Sequence, residues 1–223
     1  NEQTRLNLRY LGQYDWGTLE ARAYHEQVDH FMDFGADKRV WYGPASGGPA
    51  ALNGTPCLIG ATCAYGMPMY STSKTTGVNL KADIDLGKDD SLRIGALYQT
   101  YKLNDWWTPS GSGMWPNDFV NINDGQRDRL GAFAEWEKRL SPQWRSLLGM
   151  RYEMVNTDAG MVHGYNLSRA PLAAPVGDTN PMNQTADAVA FNNAKRAKTA
   201  HNIDLTALAH YTIDPQKELE FGL

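Results

Sequence analysis

The sequence predicts an all-β fold, a transmembrane antiparallel up-and-down β-barrel with short periplasmic turns and long extracellular loops. Three observations predict it. The first is a rhythm: an alternating run, a hard turn of a few residues, a second alternating run, then a long polar, aromatic-rich connection. The turns are Asp15-Trp16-Gly17, Gly87-Lys88-Asp89-Asp90, Ser141-Pro142-Gln143 and Asp214-Pro215-Gln216-Lys217, and the connections are Asp33–Lys74, Asp105–Gln126 and Asp158–Lys198. Short turns at one rim and long loops at the other are the layout of such barrels. The second is length: the runs hold roughly ten to fifteen residues, about twice the strand of an ordinary soluble sheet. The third is charge, which marks the polar face of nearly every run, as a hydrated lumen requires.

Each element follows at period two. Strand one sets Leu6, Leu8 and Tyr10 against Arg5, Asn7 and Arg9. Strand two, Thr18–Met32, sets Leu19, Ala21 and Ala23 against Glu20, Arg22, Tyr24, Glu26, Val28, His30 and Met32. Strand three opposes Val78, Leu80, Ala82, Ile84 and Leu86 to Asn79, Lys81, Asp83 and Asp85. Strand five opposes Leu130, Ala132, Ala134 and Trp136 to Arg129, Gly131, Glu135 and Glu137. Strand seven opposes Ile203, Leu205, Ala207, Ala209 and Tyr211 to Asn202, Asp204, Thr206 and His210. Strands two, four (Ser91–Asn104), six (Trp144–Asn156) and eight (from Glu218) alternate less cleanly. Tyr14, Trp16, Trp144 and Tyr211, near the turns, suit an interfacial aromatic girdle. A soluble β-sandwich also alternates; strand length and charge distinguish the barrel from it. Connections of 22 to 42 residues are heavy for a narrow eight-stranded barrel, and the last run breaks off at Leu223. The expectation is therefore one domain, residues 1–223, forming a segment of a larger barrel.

Bulk properties narrow the function. A net charge of −4 and a pI near 5.7 offer no basic footprint for nucleic acid. Mean hydropathy is −0.52, and no stretch approaches the eighteen apolar residues of a membrane helix. The chain opens on Asn1-Glu2-Gln3-Thr4-Arg5 without a secretory signal, as expected of a processed or cut N-terminus. No G-x-S-x-G elbow, zinc helix or phosphate-cradling glycine loop is present. Glu135/Glu137 and Glu218/Glu220 share faces as general acid–base pairs do, yet on a barrel strand a wet lumen wall is much the better account of them. The protein is not expected to be an enzyme or to require a cofactor. Cys57 and Cys63, six apart, fit a small disulfide in an oxidising compartment, with metal ligation as the alternative.

The stretch Trp115-Pro116-Asn117-Asp118-Phe119 through Asn123-Asp124-Gly125, followed by Arg127–Glu137, resembles the barrel of TonB-dependent outer-membrane receptors. So do Leu147–Glu153 and the closing Asn202–Leu223 run. The resemblance implies a bacterial outer-membrane receptor with a barrel of about 22 strands, an N-terminal plug and a TonB-contacting box. Of that barrel this chain resembles the middle third. The partners implied are outer-membrane lipid, the TonB complex through the missing N-terminal part, and a metal or metal-chelate substrate.

Two cargoes fit. Val28-Asp29-His30-Phe31-Met32-Asp33 resembles the copper-receptor branch of that family, in which an H-x-M pair offers soft ligands. Imidazole and thioether prefer copper to hard cations, and residues two apart on a strand share a face, so His30 and Met32 point together into the lumen near its mouth. The plain alternative is that both simply line the wall. Cys63, Met67 and Met69 form a second soft cluster, with the C-x-x-x-M spacing lying downstream of H-x-M rather than upstream as the branch implies. Met161 and His163 repeat the association. The second cargo is an iron–siderophore, gripped by an aromatic cage of the loop residues Trp41, Tyr42, Tyr65, Trp106, Trp107 and Trp115, with Tyr165 alongside. A passive porin and a soluble β-sandwich binding module are the alternatives of other classes.

Overall fold

The computed structural model describes residues 1–33, 68–107, 119–164 and 186–223. In chain order they form β1 (Glu2–Tyr14), β2 (Gly17–Met32), β3 (Met69–Gly87), β4 (Asp90–Trp107), β5 (Phe119–Arg139), β6 (Trp144–Asp158), helix α1 (Ala186–Asn193), β7 (Lys198–Asp214) and β8 (Lys217–Gly222). The strands make one sheet in the order β1-β2-β3-β4-β5-β6-β7-β8, every neighbour antiparallel. It is an up-and-down meander, and it is not closed: β1 and β8 each present a free edge.

All four tight turns fall where the sequence put them, and local chemistry explains three. Gly17 holds φ +134, and a Cβ there would stand 2.0 Å from the Asp83 carbonyl oxygen, so the first turn excludes any side chain. At the third turn the Ser141 hydroxyl accepts from the Gln143 and Trp144 amides at 3.2 and 3.1 Å. At the fourth, Asp214 accepts from the Gln216 amide at 2.8 Å and pairs with Lys217 at 3.1 Å. Both are side-chain-closed turns.

Register carries the alternation from strand to strand. One row reads Leu8, Ala23, Val78, Tyr98, Leu130, Met154 and His201; another reads Tyr10, Ala21, Leu80, Ala96, Ala132, Tyr152 and Ile203. One face is therefore apolar across the sheet. The other bears Arg9, Glu20, Arg22, Asp83, Arg93, Glu135, Arg151 and Glu153. No second layer covers the apolar face among the described residues: Leu6, Leu8 and Leu205 are 71%, 70% and 71% exposed. The sole buried apolar residue there is Ala188 of α1.

The strands outrun the expectation. The first seven span 13 to 21 residues, because β3 begins at Met69 and β5 at Phe119, inside segments expected to be loop. Tyr70-Ser71-Thr72-Ser73 is β-favouring sequence, and it pairs on both sides, with β2 and with β4. In β5 the extension passes through a bulge. Asp124 adopts φ 45, its amide donates to Asn104 Oδ1 at 2.7 Å, and the β4–β5 register shifts between Leu103 and Asp105. The third long connection holds α1, which the sequence did not forecast because Ala-Asp-Ala-Val-Ala-Phe-Asn-Asn carries no apolar stripe. Asn192 ties it down, accepting from the Val162 amide and donating to the Val162 carbonyl at 2.8 and 2.9 Å.

On the charged face, aromatic rings lie over glycines of the neighbouring strand. A Cβ on Gly77 would meet the Tyr24 ring at 2.4 Å, and one on Gly95 would meet Phe133 at 2.4 Å. Tyr24 is held there by Gln99, whose amide donates to its hydroxyl at 2.9 Å. Gly77→Val is expected to cost about 1–3 kcal/mol by overpacking. In a Tyr24→Ala background the same substitution should cost markedly less, read as a coupling in denaturant-unfolding double-mutant cycles.

Candidate functional site

The charged face is a chain of alternating signs. Glu20 joins Arg9 at 3.1 Å and also contacts Arg22. Asp83 links Lys81 (3.0 Å) to Arg93 (2.7 Å), and Arg93 passes on to Glu135 at 3.0 Å. Glu153 takes Arg129 at 2.8 Å and Arg151 at 2.7 Å. Nearer the turns, Arg145 stands 3.5 Å from Glu137 and His210 3.2 Å from Glu218. Each exposed pair contributes little to stability. Together they neutralise a wall in which like charges would otherwise stand in adjacent rows. Most arginines of this face are thus occupied by its carboxylates, Arg127 and Arg139 being the exceptions among the described residues. Glu135/Glu137 and Glu218/Glu220 are members of this wall.

At the end of the sheet bearing the long connections, the charged face changes character. His30 and Met32 are two residues apart on β2 and share that face. Met69, expected in a loop, is instead the first residue of β3 and the direct cross-strand partner of Met32. Directly opposed residues bring their Cβ atoms to about 5 Å, so the two methionine side chains start side by side on this face, with His30 one same-face step below. The His30 row continues through Ser71 to Asp105, whose carboxylate accepts from Asn121 at 3.1 Å. The Met32 row continues through Met69 to Trp107 and Phe119, whose rings meet edge-on at 5.1 Å. Met32 is 43% exposed, so the thioether is open to an arriving ligand. Ser71, Asp105 and Phe119 were not among the sequence candidates; period-two alternation carried upstream from Lys74 could have found Ser71.

Trp106 and Trp107 end β4 rather than sitting in a loop, and they point to opposite faces. Trp106 stacks on Tyr70 at 5.6 Å, and Tyr70 meets Phe31 at 5.1 Å, forming a cluster on the outer side. A ligand on one face reaches only one of these tryptophans. Met161 and His163 lie beyond β6, with His163 buried and bridged to Val120 through backbone hydrogen bonds. Trp41, Tyr42, Cys57, Cys63, Tyr65, Met67, Trp115 and Tyr165 fall outside the described residues. Among the described residues no group of three or more His, Cys, Asp or Glu side chains gathers as a metal site. Met32, Met69 and His30 fall outside that description, since two of the three are thioethers.

No protein-family model matches the chain, and no curated protein matches it. Among solved structures it is similar to the copper transporter OprC, with a TM-score of 0.56 at 14% sequence identity. The match covers 96% of this chain and 28% of that one, so this chain spans a little over a quarter of that structure's length. The likeness is one of fold: the meander extends over nearly the whole chain. No helix among the described residues is long and apolar enough to cross a membrane, a criterion that does not address strands.

Glu153 is the most enclosed carboxylate of the charged wall, its side chain 14% exposed between two guanidiniums. Glu153→Gln should lower stability by about 1–2 kcal/mol, seen as a lower denaturant midpoint at unchanged slope. Glu218→Gln, nearer the turn rim and 49% exposed, should shift the midpoint by less than about 0.5 kcal/mol.

Proposed function

We propose that this chain is part of the wall of a larger transmembrane barrel, in an outer-membrane receptor that takes up a scarce metal, with copper as the cargo. Facing thioethers of Met32 and Met69 beside the His30 imidazole, at the loop end of the charged face, carry the reading of cargo. Two sulfur donors and one nitrogen suit Cu(I) and discriminate against the hard cations that carboxylates would take. Similarity of fold to a copper transporter supports the same reading. An iron–siderophore is less well served, because Trp106 and Trp107 are divided between the two faces.

The membrane reading rests on the exposed apolar face. On β3 it runs from Val78 to Leu86, eight residue steps, or about 26 Å of strand at about 3.3 Å each. At the usual tilt of about 40° that is about 20 Å of height, close to the apolar band of a membrane barrel. Aromatic pairs stand at its turn end, Tyr14 on Trp16 at 5.2 Å and Trp144 on Tyr211 at 4.7 Å, where an interfacial girdle belongs. The free edges of β1 and β8 call for further strands, since acyl chains offer no hydrogen bonds to unpaired amides. On this reading the sheet is a segment of a barrel of about 22 strands, and coupling to a TonB complex belongs to an N-terminal part.

Two measurements test the proposal. Cu(I) titrated into the receptor should bind His30→Ala/Met32→Ala and Met69→Ala at least tenfold more weakly than wild type, and should quench Trp107 fluorescence in the wild type. Equal copper affinity in the wild type and both variants removes copper as cargo. For the face, Leu80→Arg should cost about 2–4 kcal/mol in a bilayer, whereas Asn79→Arg, one residue along and on the charged face, should cost well under 1 kcal/mol. Equal costs refute the assignment of lipid and lumen.

A further inference from the structure

Above the apolar band, toward the long connections, the outer face turns polar before it reaches the Phe31–Tyr70–Trp106 cluster. In this zone Lys74 of β3 and Lys102 of β4 are direct cross-strand partners, and both are exposed. Like charges set directly opposite are destabilising, and among the described residues neither lysine has an ion pair. Two carboxylates stand diagonal to the lysines, and each holds a neighbouring glutamine rather than a lysine. Asp29, diagonal to Lys74, accepts from Gln27 at 3.0 Å, and Asp128, diagonal to Lys102, accepts from Gln126 at 2.6 Å. Gln27 and Gln126 are themselves the outer neighbours of the two lysines in the row Gln27, Lys74, Lys102, Gln126. The sheet thus holds two adjacent ammonium groups, neither drawn into a close ion pair with the carboxylates diagonal to them.

Directly below lies a groove of about 430 Å³. It exists because Ala21 and Ala23 of β2 run between taller side chains on either side: Leu8 and Tyr10 of β1, Val78 of β3 and, beyond it, Tyr98 of β4. Its surface is almost wholly apolar, and it is a valley along the strands rather than a closed cavity. Lys74 is four residues above Val78, and Lys102 four beyond Tyr98. That places their Cα atoms about 13 Å along the strand from the groove's upper row, or about 10 Å in height at barrel tilt. Lysine stems keep their ammonium groups in the polar layer above the band, where a lipid phosphate sits while its chain runs down into the valley. The polar layer beyond the hydrocarbon is itself several ångströms deep.

We propose that Lys74 and Lys102, together with the groove beneath them, form a binding site for a single anionic lipid, its phosphate held by the two ammonium groups and an acyl chain laid over Ala21 and Ala23. Charge complementarity selects the headgroup and the valley selects the chain. Neither feature alone defines the occupant; a phosphate joined to a long alkyl chain satisfies both. This inference rests on the apolar face meeting acyl chains, and it adds a specific lipid to that reading. It is independent of the cargo.

The test is native mass spectrometry of the receptor in detergent, offered dipalmitoyl phosphatidylglycerol, dipalmitoyl phosphatidylcholine or inorganic phosphate. Wild type should retain phosphatidylglycerol in preference to phosphatidylcholine. At about a fivefold effect per lysine, Lys74→Gln/Lys102→Gln should retain it roughly twenty-five-fold less well, and Lys74→Arg/Lys102→Arg should restore retention. Ala23→Phe, which fills the valley without altering charge, should also weaken retention. Unaltered retention in the glutamine variant overturns the site. So does displacement of the lipid by inorganic phosphate at comparable concentration, which would mark a free-anion site. A wild-type receptor that stays folded and monomeric without detergent overturns the membrane reading itself, a distinct result from insertion with no lysine dependence.

Discussion

A strand's two faces are separated by a single residue step, so eight strands share one apolar face only if seven successive ladders hold phase. The ladders do so, and the irregularities show how. Register shifts occur between Asp85 and Gly87, between Leu103 and Trp106, and between Thr212 and Asp214. All of them sit at the ends of strands, outside the rows that run from Leu8 to Met154 and from Tyr10 to Ile203. A slip within those rows would exchange leucines for arginines across half the sheet. Everything else, the charged wall, the thioether pair and the outer groove, depends on that uninterrupted phase.

The opposite face works by compensation. Its ion pairs are half-exposed and individually weak, yet almost every arginine on it has a carboxylate within reach. Two rows above the last of these pairs, Arg5 with Glu26 at 3.5 Å, the chemistry switches to His30, Met32 and Met69, with Trp107 and Phe119 beside them. The wall is therefore electrostatically quiet along most of its length and chemically soft at one end. On the proposed reading an arriving metal meets donors first and fixed charge afterwards.

Much of this was legible in the sequence. The four tight turns read directly, because Gly17, Pro142 and Asp214-Pro215 leave few conformations, and the faces of strands one, three, five and seven read from period two. The placement of His30 and Met32 on the charged face also followed from phase counted down from Leu19. Where the reading fell short, the missing quantity was register across a long connection. A tight turn fixes which residues oppose each other, whereas the residues between Met32 and Met69 fix nothing that can be counted. The Met32–Met69 opposition is therefore invisible in the sequence, where Met69 stands nearest to Met67. The same gap placed Trp106 and Trp107 together in a loop, when consecutive strand residues necessarily diverge. Helix α1 escaped because eight residues without an apolar stripe resemble any polar connection.

The bulge at Asp124 separates two parts of β5 that need not share a history. Below it, pairing with β4 is dictated by the hairpin on the turn side; above it, Phe119 and Val120 follow the connection that precedes them. A residue gained or lost in that connection can be absorbed where the left-handed Asp124 already accommodates an extra one. The outer end of the strand is thus free to change length, even by an odd number of residues, while Leu130, Ala132 and Ala134 keep their orientation. Such an arrangement lets the loop end of the sheet change while the apolar face below it keeps its phase.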